Sequence, residues 1–297
     1  MLQRFHLRDG LAAFPSALRG AAVAIGNFDG LHRGHQHVFA QLKRLAATQN
    51  GPAIALTFEP HPRAFFAKSA PPLRLSDVAA KARVAKAIGL DGMVVLHFDQ
   101  ALSEIEPADF VQRILIEAIG CSAVVVGENF RFGRKRAGDV AYLAQQGRQF
   151  GFSVAAAELL TEAGAAISST RIREALCEGN LAEANRLLGY SWFTSVTIVG
   201  AQSAAQDRLC LHTNGIARLL EGHFAVRGSL GGWPIEGLVE THPDCPGNLQ
   251  ITWADQLPTG KDVSATLAFL ARIEDQPAKS NHWSAKPALL DHAIGFA

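Results

Sequence analysis

Long apolar runs are missing from this chain. No stretch approaches the ~18 residues of a membrane span, and the amino-terminal MLQRFHLRDG carries no apolar signal core. A large charge of either sign is missing too. The 297 residues include 28 Lys or Arg and 27 Asp or Glu, for a net charge of +1. A protein whose main partner is nucleic acid usually needs a basic field, so the balance argues against that class. Cysteine is scarce, and Cys121, Cys177, Cys210 and Cys245 are scattered without a C-x-x-C pair, as in a reducing compartment. No internal repeat or low-complexity tract is present. These absences lead us to expect a cytoplasmic protein with no membrane and no nucleic-acid partner. With 48 % hydrophobic residues, the chain can bury a full core, and its length suggests two domains.

The richest stretch is Ala22–Lys43, AVAIGNFDGLHRGHQHVFAQLK. A short apolar β-like run ends in a Gly-bearing turn and passes into an amphipathic helix. Such a turn offers free backbone N–H groups and a positive dipole end, where a phosphate can sit. Gly26 and Gly30 permit close backbone approach or a positive φ. His32 and His35, three apart at the helix start, share one face. Two imidazoles aimed at a phosphate suggest stabilisation of charge in a transition state. They could also be zinc ligands, although no Cys or further His stands at zinc-finger spacing, or plain structural histidines.

The remainder of the first half alternates strands and helices. Strands are expected over 52–58, 92–98, 123–127 and 152–157. Helices are expected over 76–88 with Ser76 as N-cap, over 107–119 with Pro107 in its first turn, and over 138–150. Repeated β-α-β with apolar strands predicts an α/β domain with a doubly wound parallel sheet. Such sheets bind ligands beyond the carboxyl ends of their strands. Past Leu188 come short β runs over 192–199, 208–212, 223–227, 235–241 and 248–254, and then a helix over 287–294. This texture predicts a small antiparallel barrel or sandwich. The domain boundary is expected at Leu188–Ser191, giving domains 1–188 and 189–297.

Three further loops at strand ends carry special residues. Thr57-Phe58-Glu59-Pro60-His61-Pro62 is stiffened by two prolines and could wall a pocket for a planar ring, or be an ordinary turn. Gly127-Glu128-Asn129-Phe130-Arg131-Phe132-Gly133-Arg134 interleaves aromatic and basic side chains, which suits a flat phosphorylated ligand as well as a solvated basic loop. Ile167-Ser168-Ser169-Thr170-Arg171-Ile172-Arg173 opens a helix with hydroxyls and free N–H groups able to hold a polyphosphate. Capping explains the hydroxyls but not Arg173.

The four pieces GNFDGLHRGHQ, LTFEPHP, VVVGENFRFGRKRAGDV and ISSTRIREAL, in that order, resemble the FAD synthetase module of bacterial bifunctional riboflavin kinase/FAD synthetases. The likeness covers about 21–188. It implies a nucleotidyltransferase that moves AMP from ATP to FMN, giving FAD and pyrophosphate, with Mg2+ riding on the ATP phosphates and no protein metal ligands. By the same resemblance Gly26, Asn27, Phe28, His32 and His35 fall on the ATP-binding and catalytic motif. Ser169, Thr170 and Arg173 fall on the motif that grips the ATP phosphates. Phe58, Pro60, Asn129 and Phe130 fall on the flavin side. Asp29 and Asp139 lie within the motifs and carry no role over.

The carboxy-terminal part resembles the riboflavin kinase module less well. Its Pro-Thr-Ala-Asn motif has no counterpart beyond Leu211-His212-Thr213-Asn214, and Gln250 stands where an activating glutamate is expected. The barrel is therefore expected to have lost its kinase chemistry, unless Glu236, Glu240 or Asp255 substitutes. The alternatives are a non-catalytic flavin or nucleotide sensor, an enzyme with another phosphorylated acceptor, or a fully bifunctional enzyme.

Overall fold

Six short strands form one parallel sheet: β1 (Gln3–His6), β2 (Ala22–Ile25), β3 (Ala53–Glu59), β4 (Gly92–His97), β5 (Ala123–Gly127) and β6 (Ser153–Ala157). Their spatial order is β1-β4-β3-β2-β5-β6. Ala24 of β2 stands between Ala55 of β3 and Val125 of β5. All four residues of β2 are buried, which is why the strand reads as an unbroken apolar run. The chain lays β3 and β4 to one side of β2 and then crosses to the other side for β5 and β6. The crevice at the carboxyl ends of β2 and β5 is thus the point where the winding reverses, the usual ligand position in such sheets. The computed structural model describes residues 3–6, 14–67, 74–199, 209–213, 222–230, 233–241, 248–253, 263–273 and 291–294. They fall into two compact units, one within Met1–Pro72 and Ala82–Ile167, the other within Leu73–Lys81 and Ser168–Ala297.

In the first unit, α1 (Arg33–Thr48) buries Val38, Phe39 and Leu42, the face its spacing predicts, together with Ala46, while Leu45, expected beside them, is half-buried. Some helix starts differ from expectation. The helix α2 (Val78–Ile88) is capped by Asp77, whose carboxylate accepts from the Ala80 N–H at 2.7 Å, while Ser76 is buried just before it. An acceptor one residue later reaches the same free N–H groups. Likewise α3 (Val140–Phe150) begins after Asp139, which accepts from the Tyr142 N–H at 2.8 Å. Gly138–Asp139 instead pair with Arg131–Phe132 as a small hairpin. The helix expected over 107–119 is present, but only its first turn is α-helical, and Phe110–Ile119 is a π-helix closed by left-handed Gly120 (φ 61). A π-helix bonds one residue further along the chain than an α-helix. Its buried residues are Phe110, Val111, Ile114, Leu115, Ala118 and Ile119, repeating every four positions. β1 was not foreseen, so the sheet has one strand more than the pattern predicts.

The second unit begins its long segment with α4 (Ser169–Cys177) and α5 (Leu181–Leu188), so the expected boundary at Leu188 lies inside it. A closed antiparallel barrel follows, made of β7 (Phe193–Val199), β8 (Leu209–Thr213), β9 (Gly222–Leu230), β10 (Trp233–Thr241), β11 (Asn248–Trp253) and β12 (Val263–Ile273), in the order β7-β8-β11-β10-β9-β12. The eleven-residue β12 was missed because VSATLAFLARI is rich in the helix formers Ala, Leu and Arg. In a closed barrel its pairing with β7 and β9 outweighs that preference. The barrel core includes Phe224, Val226, Val239, Leu267 and Phe269. Asn185 ties α5 to the barrel, accepting from the Trp192 N–H at 2.7 Å and donating to the Phe269 carbonyl at 3.0 Å. Of the helix expected over 287–294, residues Asp291–Ile294 are helical and the rest lie outside the described residues. Buried Asp291 accepts from both the N–H and the hydroxyl of Ser191, at 2.9 and 2.7 Å. No helix among the described residues is long and apolar enough to cross a membrane.

Candidate functional site

The loops after β2, β3 and β5 converge on a cavity of about 620 Å³ in the first unit, a size suited to a cofactor-like ligand. Gly26 and Asn27 come from the end of β2, Phe58 from β3, and Asn129 and Phe130 from the turn after β5. Adjacency of β2 to both β3 and β5 brings together residues far apart in the chain. Two backbone-directed bonds fix the β2 turn. The Gly26 N–H donates to the Leu56 carbonyl at 3.1 Å, and the buried Thr57 hydroxyl donates to the Asn27 carbonyl at 3.0 Å.

The cavity has two aromatic walls. On one side Phe98 meets Phe58, Phe65 and Phe66 edge to face, at centroid distances of 6.0, 5.4 and 5.8 Å. On the other side Phe130 stacks on Phe132 (5.6 Å, 14°), and Phe110 tilts against Phe132 at 5.3 Å. Such walls hold a flat ring by its faces and edges. Pro60 does not line the cavity, whereas Pro62 does. Pro62 starts the short helix Pro62–Phe65, whose N-cap His61 accepts from the Arg63 N–H at 3.1 Å.

Four cationic residues lie along the rim, Arg63, Arg131, Lys135 and Arg136. Arg131 is paired with Asp139 at 2.9 Å, which gives Asp139 a structural role as cap and counter-ion. Lys135 (φ 53) and Arg136 (φ 59) both adopt the left-handed conformation, costly for side chains of this kind. Residues such as Phe66, 63 % exposed, Phe98 and Lys135 escaped the sequence reading. Phe98 sits just beyond β4, where the same strand-end argument could have found it. An exposed Phe after a proline-stiffened turn is itself a signal.

The histidine motif opens α1. His32 is the N-cap, and its Nδ1 accepts from the His35 N–H at 3.4 Å, so the proton of the neutral ring sits on Nε2. The two imidazoles stack with centroids 3.7 Å apart and planes 19° from parallel. Both rings, adjacent to the first free N–H groups of a 16-residue helix, suit an anionic ligand. Phe28 is only 4 % exposed, edge-on to His35 at 5.3 Å and tilted on Phe39 at 4.7 Å. Asp29 is buried as well. Arg33, the first residue of α1, forms an ion pair with Glu162 in the hairpin Thr161–Glu162/Ala165–Ala166.

In the second unit, Ser168 rather than Ser169 caps α4, accepting from the Arg171 N–H at 3.3 Å. Ser169 and Thr170 are the first two helical residues, with Arg173 one turn on. Arg171 is taken by Glu183 at 2.6 Å. Among the described residues, no group of three or more His, Cys, Asp or Glu is placed to hold a metal ion, so the zinc reading of the histidines has no third ligand. In the barrel, two of the candidate acids are paired: Glu240 lies 3.5 Å from His223, and Glu236 bonds Arg227 at 2.6 Å. Asn214 and Asp255 lie outside the described residues.

A family model described as FAD synthetase matches residues 14–171. The bifunctional riboflavin kinase/FMN adenylyltransferase of Pseudomonas fluorescens is 38 % identical over 189 residues, covering 64 % of this chain and 60 % of that protein. The protein of the same description from Escherichia coli (strain K12) is 34 % identical over 180 residues, covering 61 % and 58 %. The matches thus span about three-fifths of the length of these curated relatives. Among solved structures, one described as a macrolide-efflux protein from Streptococcus pneumoniae superposes with a TM-score of 0.79 over 94 % of this chain and 93 % of that one, at 20 % identity. That likeness speaks to the fold.

Proposed function

The chain belongs to the FAD synthetase family, and from that premise we propose that it transfers AMP from ATP to FMN, forming FAD and releasing pyrophosphate. The observation that carries this reading is the aromatic-walled cavity at the sheet's reversal point, which joins the phosphate-type Gly26–Asn27 turn to Phe58, Asn129 and Phe130. An oxygen of the FMN phosphate attacks the α-phosphorus of ATP, and the bond to the β-phosphate oxygen breaks. That nucleophile is already anionic, so no activating base is required. The protein's work is to align the two phosphates and to offset charge on the α-phosphate and the leaving pyrophosphate.

We assign that charge-offsetting role to His32 and His35, with Gly26 and Asn27 approaching the phosphates; the family resemblance assigns Ser169, Thr170 and Arg173 to gripping the ATP phosphates. Phe58, Asn129 and Phe130 take the flavin ring. Mg2+ on the ATP phosphates would neutralise their oxygens. Such an ion takes most of its ligands from phosphate and water. Residues 1–188 carry this activity in the proposed division, and 189–297 form a kinase-like barrel without its chemistry.

The experiment is to incubate the full chain with FMN and Mg-ATP and to separate the flavins. FAD and pyrophosphate are expected in equal amounts. FMN bound normally without FAD above the no-enzyme control would replace the transferase reading with a flavin sensor.

A further inference from the structure

We infer that Phe28 is a positioning residue that locks the His35 ring to the Gly26 turn, an inference that rests on the adenylyltransferase reading for its kinetic consequence. Its backbone lies in the left-handed region, at φ 47. A bulky non-glycine residue is disfavoured there, and such strain persists where surrounding contacts over-determine it. Glycine would remove the cost, so what the position retains is the ring. At 4 % exposure, that ring has almost no surface left for a nucleotide. It contacts protein on three sides. Its edge meets His35 at 5.3 Å and 85°, it tilts on Phe39 at 4.7 Å, and it passes so close to Gly26 that a Cβ there would stand 3.0 Å from its Cε1.

Gly26 lines the cavity, and His35 does not. Phe28 is therefore the piece of protein between the cavity wall and the imidazole. His35 also stacks on the nearly parallel His32 ring, itself held through Nδ1. Two rings at roughly right angles to each other thus pack against His35. The requirement for glycine at 26 follows from the same packing as well as from any ligand. Transfer between two phosphates depends on alignment, and a misplacement of about 1 Å can cost about 100-fold in rate.

The test uses the full chain with Phe28→Leu, and with Phe28→Met as a second variant that refills the volume. Expected is a fall of about 10- to 100-fold in kcat for FAD formation, with KM for ATP and FMN within about threefold of wild type. In the ligand-free protein, the nuclear Overhauser contact between the stacked His32 and His35 imidazole carbon-bound protons weakens. Leu42→Ala removes a fully buried side chain further along α1 and is the control: it lowers thermal stability and leaves kcat and the His32–His35 contact in place. Retained kcat with an unchanged His32–His35 contact, in whichever Phe28 variant folds, overturns the proposal. So does a raised KM for ATP at unchanged kcat, which would make Phe28 a nucleotide contact. If the wild type forms no FAD, the transferase reading fails, and the His32–His35 contact still decides whether Phe28 holds the ring.

Discussion

His35 stacks on one imidazole and packs at right angles to the Phe28 ring, so its ring needs little reorganisation when charge develops nearby. Removing one preorganised donor of this kind costs roughly 10²–10³ in turnover. His35→Ala should therefore lose most of its FAD-forming turnover while FMN binding, measured by flavin fluorescence, changes little. Near-wild-type turnover would take the histidine out of the mechanism. Cys121 gives a separate readout of the core. Burial pushes its thiol up from 9.0 to about 12. The folded protein then keeps a proton that the unfolded chain releases above pH 9, so this contribution is fully present below pH 9. Stability falls between pH 9 and about 12, by up to about 1.4 kcal/mol per pH unit. Denaturant unfolding across that window should show the slope, and Cys121→Ala should flatten it. An equal slope in the variant would assign it to other groups.

At the scale of elements, the start of α1 is crowded from two directions. A Cβ at Gly34 would lie 3.1 Å from the His32 Nδ1 and 3.2 Å from the Ile167 carbonyl oxygen. The second neighbour is backbone and cannot rotate away. Gly34→Ala should cost about 1–3 kcal/mol and lower turnover by displacing His32, read as a fall in Tm alongside kcat. An unchanged Tm would mean that the hairpin end yields freely. Elements of this kind were legible in the sequence wherever a buried apolar run met a turn. That pattern yielded β2, β3 and β5 and with them Gly26, Phe58 and Asn129, all of which line the cavity. The pattern does not say which side of a turn a ring faces, so the burial of Phe28 and the absence of Pro60 from the cavity wall were not readable. Nor does it choose between neighbouring cap residues, as Ser76 and Asp77 show, because either can reach the same N–H groups. β12 was hidden because its composition favours helix and only barrel closure makes it a strand.

For the whole molecule, the barrel should not phosphorylate riboflavin. A neutral hydroxyl needs a positioned carboxylate to take its proton. Gln250 stands on β11 in register with Glu240 of β10, and Glu240 is engaged by His223. The altered stretch at Leu211–Thr213 lies on β8, opposite β11. On the proposed reading two requirements fail together, so Gln250→Glu alone should not restore activity. Turnover near 1 s⁻¹, at the low end of kinase rates, in an assay of riboflavin with Mg-ATP would overturn this. The reversal of the sheet between β2 and β5 has a consequence in time. β2, β3 and β4 pair with one another in chain order, whereas β1 reaches β4, and β5 reaches β2, only by closing long stretches of chain, the latter from Ile25 to Ala123. Distant closures are slow to form. In refolding from denaturant, the half of the pocket carrying Asn27, Phe58 and Phe98 can be in place before Asn129 and Phe130 arrive. Quenching of added FMN should then lag behind the recovery of helical circular dichroism, making the bound flavin a clock for the docking of β5.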